Sequence, residues 1–113
     1  MEVRKEGLKE VREKLVKCLH RQSPWLLAHL NILSRQKHMM DFATLFLMRT
    51  EDAMDLLEPV YGKIRRLIVN IIVRCIGMVL GVDKHEMMVN MVMESPREFP
   101  ALIKNIIAGK TGS

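Results

Sequence analysis

Aromatic residues are scarce: three Phe, one Trp and one Tyr in 113 positions. The apolar share is still 49%, so it rests on Leu, Ile, Val and ten Met, side chains that pack between helices. Cysteine is equally sparse. Cys18 and Cys75 are not spaced as a ligand pair, and apolar helical residues surround both. A disulfide is one alternative; two buried free thiols are the expectation, with a reducing, cytoplasmic setting to match. No uncharged apolar run is long enough for a bilayer. The longest apolar stretch, 64–82, is interrupted by Arg65, Arg66, Asn70 and Arg74, so it reads as a buried helix and excludes a membrane partner. The charge crowded between Met1 and Glu13 argues against a secretory signal.

The usual marks of chemistry are also lacking. His20, His29, His38 and His85 are scattered, and none joins a His-Glu-x-x-His or Cys-x-x-Cys pattern. Cys18 and His20 point to different sides of a helix. Asp52, Asp55 and Glu58 share a helix face without a matching Glu-x-x-His, and read as solvated acids. Ala108-Gly-Lys-Thr has the end of a phosphate loop but neither its strand nor its first glycine. The expectation is no enzyme, no metal, no cofactor and no small-molecule substrate.

Helical periodicity fills what remains. Val11, Leu15 and Leu19 form a stripe in a first helix over 3–20, with apolar residues on one side only. Ser23 and Pro24 open a second, carrying Trp25, Leu26, Leu27, Leu30 and Leu33. A boundary is placed at Ser34, and a helical pattern follows to Met48. Thr50 is read as the cap of the next helix, with Glu51 and Asp52 suiting its positive end, and Pro59 as a start or a kink. The segment 64–80 is apolar nearly all round, and at that length is a helix rather than a strand. It is expected to be the most buried element, with Leu67, Ile68, Ile71, Ile72, Cys75 and Ile76 in the core. Gly81 stops it, and Asp83 with Glu86 and Ser95 with Glu98 read as capping boxes. Leu102, Ile103, Ile106 and Ile107 make the last stripe, ended by Gly109. No glycine-rich linker or repeat divides the chain. The expected architecture is all-α: a compact bundle of five or six helices around a buried central helix, one domain over 1–109 and a flexible tail over 110–113.

The net charge of +5 is banded. Residues 1–40 carry nine Lys or Arg and four Glu; 41–62 carry one Arg and five acids; 63–82 carry four cations; 83–113 carry four of each. Arg65 and Arg66 begin a helix, where the dipole disfavours cations, so the nearby acids are their expected partners. Two interaction surfaces stand out. Met87, Met88, Met91 and Met93 point around more than one side of a short helix and, with Trp25, exceed what one bundle is expected to bury; this is the candidate protein interface. The alternative is nucleic-acid binding through the basic face of the first helix: Arg4, Lys5, Lys9, Arg12, Lys14, Lys17 and Arg21, diluted by Glu6, Glu10 and Glu13.

The stretch from Tyr61 to Leu80, a short polar loop, then Met93-Glu-Ser-Pro-Arg-Glu-Phe99 and an apolar helix resembles the helical domain of GINS replication-complex subunits. The match at 93–98 departs from the family form by one inserted residue, and the family's small β-rich domain has no counterpart in this sequence. The resemblance implies a non-catalytic scaffold that packs helices against sister subunits and bridges a helicase to polymerase or primase. The functional expectation is therefore an assembly subunit, homo-oligomeric or paired with a related helical subunit.

Overall fold

A computed structural model of the chain describes residues 2–112, with side chains described for 7–109. Among these residues there are seven α-helices, two 3-10 turns and no strand. They are α1 (Glu2–Gln22), α2 (Pro24–His38), α3 (Phe42–Met48), α4 (Thr50–Tyr61), α5 (Arg65–Leu80), α6 (His85–Glu94) and α7 (Phe99–Gly112), with the 3-10 turns at Gly62–Ile64 and Pro96–Glu98. Six of the helices have ten residues or more; α3 has seven. The radius of gyration, 13.2 Å, is that of a compact chain of this length, about 13 Å. This is an all-α bundle.

Local chemistry sets the breaks. Ser23 is extended at the head of α2, with Pro24 in the first turn, although the serine side chain makes no capping bond. The break expected at Ser34 falls instead at 39–41. Ser34 is buried, and its hydroxyl donates to the Met40 carbonyl at 2.7 Å, so the serine secures the turn from inside α2. Met39 adopts the left-handed conformation and its N–H reaches the Arg35 carbonyl, ending the helix. Asp41 then caps α3, accepting from the Thr44 N–H at 3.1 Å and the Thr44 hydroxyl at 2.7 Å. The Asn31 amide oxygen accepts from the Phe42 N–H at 2.9 Å. Three expected caps are corrected. Thr50 is inside α4, buried, and donates to the Phe46 carbonyl at 2.6 Å. Lys84 rather than Asp83 precedes α6, and Ser95 precedes a 3-10 turn without a side-chain bond. The stop at Gly81 is as expected, in the left-handed conformation with its N–H on the Gly77 carbonyl. Gly109 takes no positive φ, and α7 continues to Gly112 through part of the expected tail.

Helix α1 packs against α5, α7, α2 and α3, while α5 also meets α6 and α4. Gly7 permits the close crossing of α1 and α7: a Cβ there would stand 2.6 Å from Ile107 Cγ2. The few aromatics are concentrated at the centre, where Phe42, Phe46 and Phe99 are fully buried with ring centroids 5.8 Å apart for each successive pair. α3 is the most enclosed helix, with Phe42, Ala43, Leu45, Phe46 and Leu47 all buried.

Helix α5 buries one face: Ile68, Val69, Ile72, Val73, Cys75, Ile76 and Leu80. Leu67, expected in the core, is 58% exposed, and Ile71 is half-buried. Val69 and Val73, expected at the back, are fully buried. The inward face is thus rotated from the expected one, because α1 and α6 flank α5 and leave the Leu67 side open. Cys18 and Cys75, expected as free thiols, form a disulfide between α1 and α5 with a Cα separation of 5.8 Å. Antiparallel packing of these helices brings together two cysteines 57 residues apart, a proximity that their sequence spacing does not reveal. The inference of a reducing compartment loses its premise. No described helix is long and apolar enough to cross a membrane.

Candidate interaction site

The methionine segment does not form one outward surface. In α6, Met88 is fully buried together with Val89 and Val92. Met91 and Met93 are half-buried against the core, and only Met87 is largely exposed, at 41%. The main neighbours of α6 are α5, α4 and the turn leading to α7, none of which carries Trp25. Two sides of this short helix are covered from within the chain, so Met88 belongs to the core and not to an interface.

Trp25 stands on α2 and is 70% exposed. Ile32, two turns further along the same outer face, is also exposed. His29, one turn after Trp25, links this edge of α2 to the end of α4: its Nδ1 is 2.7 Å from the Tyr61 hydroxyl, and the rings meet edge to face. Burial pushes the Tyr61 hydroxyl pKa above its ordinary value. Beyond Tyr61 the chain exposes Ile64 and Leu67. Ile71, on the next turn of α5, lines a crevice with Leu19, Leu26, Leu27 and Leu30. Exposed apolar residues thus stand on outer α2 and at the start of α5, and the His29–Tyr61 link ties α2 to the end of α4. Sequence reasoning singled out Trp25 but assigned Ile64 and Leu67 to the buried helix. The 3.6-residue spacing of Leu67, Ile71, Arg74 and Met78 was the available signal, but an apolar helix does not declare which of its sides is covered.

The basic residues of α1 divide between two sides. Arg4 and Lys5 lie outside the residues with described side chains. Lys9 and Arg12 face α3 beside Thr44, Leu47 and Met48, and Arg12 is 3.8 Å from Asp41. Lys14, Lys17 and Arg21 face α5, lining a cleft of about 370 Å³ with Cys18, Met78 and Val79. No family model, curated protein or solved structure matches this chain.

The acidic band is largely answered inside the molecule. Glu51 pairs with Arg97 at 3.0 Å, Asp52 with Arg49 at 2.6 Å, and Glu58 with Arg65 at 3.0 Å. The last of these is the partner expected for a cation at the head of α5. His85 Nε2 lies 2.8 Å from the Asn70 amide oxygen, so His29 and His85 are both held by neutral groups. Among the described residues, no three His, Cys, Asp or Glu converge on a metal-sized site, and no buried side-chain polar atom lacks a partner.

Proposed function

We propose that this chain is a non-enzymatic helical assembly subunit that docks through the exposed apolar residues of α2 and early α5. The observation that carries the reading is the exposed Trp25, with Ile32 on the same side of α2 and with Ile64 and Leu67 exposed at the start of α5. Tryptophan is enriched among residues that dominate binding energy, and Trp25 is 70% exposed. The partner is a second copy or a related helical subunit. In the form implied by the GINS resemblance, the subunit is part of a DNA-replication scaffold; that refinement rests on 61–80 and 93–99 alone. Nucleic-acid binding through α1 has less support, since its described cations do not share one face.

Multi-angle light scattering across a concentration series tests the proposal. The wild type should exceed monomer mass, and Trp25→Ala combined with Leu67→Asp should return it to a folded monomer, because neither side chain is in the core. A wild type that remains monomeric at the highest concentration refutes self-association and leaves a heteromeric partner as the form still to be met.

A further inference from the structure

A second surface, independent of Trp25, lies at the other end of α5. Lys14, Lys17 and Arg21 recur every three or four residues along the side of α1 that borders the cleft floored by Cys18, Met78 and Val79. Met78 is 62% exposed and also borders a neighbouring cleft with Arg74, Gly77 and Asp83. Lys14 bonds Glu10 at 3.2 Å, whereas Lys17, Arg21 and Arg74 have no acidic partner among the described residues. In the chain's densest acidic segment, in α4, Asp52, Glu58 and Glu51 are paired with Arg49, Arg65 and Arg97. Glu10 borders the adjoining part of the α1–α5 groove and Asp83 the neighbouring cleft, so the rim carries a net positive charge that an acidic partner complements.

We propose that the α1–α5 cleft takes an acidic amphipathic helix from a partner protein. The trough between two antiparallel helices is the seat a third helix fills. Its floor is apolar and includes an exposed methionine, a side chain that adapts to varied apolar partners. Lys14 to Arg21 spans about 10 Å along α1, two helical turns, matching acids two turns apart on the incoming helix. A helix with an apolar stripe flanked by Glu or Asp satisfies floor and rim together. A nucleic acid would satisfy the rim alone, and the cleft offers no aromatic ring for a base to stack on.

The test is fluorescence anisotropy with a labelled peptide of about 18 residues, long enough to form helix in water, bearing one Leu stripe flanked by Glu. A scrambled peptide of the same composition and a mixed-sequence DNA duplex serve as competing probes. The amphipathic peptide should bind best, more weakly as salt rises. Lys17→Glu with Arg21→Glu should reduce its affinity about tenfold or more while circular dichroism is unchanged. Met78→Ser should weaken this peptide and leave any residual duplex binding unaffected. Equal binding of the scrambled peptide, tighter binding of the duplex, or no effect of the charge reversal would each overturn the proposal. None of these outcomes bears on self-association through Trp25.

Discussion

Reduction of the Cys18–Cys75 bridge is the perturbation with the largest expected effect that leaves the sequence unchanged. The two residues are 57 apart and nearly fully buried, one on α1 and one on α5. Closing a loop of that length removes conformational entropy from the unfolded chain worth about 4 kcal/mol at 25 °C. Against a total stability of roughly 5–15 kcal/mol, that is a large share. With a urea m-value of about 1–2 kcal/mol/M, the unfolding midpoint should fall by roughly 2–4 M when the bridge is reduced. The folded contacts should hardly change, because the two thiols keep their places in the core. The experiment compares urea transitions of the protein purified without reductant, the same protein in excess reductant, and Cys18→Ala with Cys75→Ala. Intact mass and thiol labelling under native conditions report the oxidation state of each sample. The reduced protein and the double variant should unfold at similar midpoints, both far below that of the oxidised protein. Free thiols in protein purified without reductant, or transitions that coincide with and without the bridge, would refute the reasoning.

Ile72→Ala should cost about 2–5 kcal/mol, since Ile72 is fully buried, whereas half-buried Ile71→Ala should cost distinctly less; equal losses in denaturant titrations would contradict the rotated face of α5. Met88→Lys should unfold the monomer, because it places an unpaired charge in the core, and a folded Met88→Lys chain by circular dichroism would return Met88 to the surface. Gly7→Ala should fail to give the gain of about 1 kcal/mol usual in a helix, because the new Cβ meets Ile107, and an increase in melting temperature would disprove the close crossing. For Tyr61, burial raises the folded pKa above the unfolded value near 10, so its stabilisation holds below that pH and is lost as pH rises through it. Tyr61→Phe should flatten the alkaline fall in stability relative to the wild type, and superimposable pH profiles would refute the assignment.

Local and periodic information was enough for the class of fold. The stripe Val11, Leu15, Leu19 is buried as expected, Gly81 ends α5, and Arg65 finds Glu58. These outcomes depend on residues a few turns apart, and helix geometry fixes their relations. Caps were less legible. Asp41 is a capping residue by type, as Thr50 and Asp83 are, yet only Asp41 meets an N–H in reach of its side chain, at a turn fastened by Ser34 and Asn31. The site required the bundle. Met88 and Met87 are alike in type and adjacent in sequence, and the positions of α4, α5 and α7 alone bury one and expose the other. Leu67 is as apolar as Ile68, but α1 and α6 close on one side of α5 and leave the other open. The disulfide, the partners of the divided cations of α1 and the His29–Tyr61 link join residues far apart in sequence. Hydrophobicity and spacing determine that a helix has an apolar side; which part of that side reaches solvent is determined only by the helices packed against it.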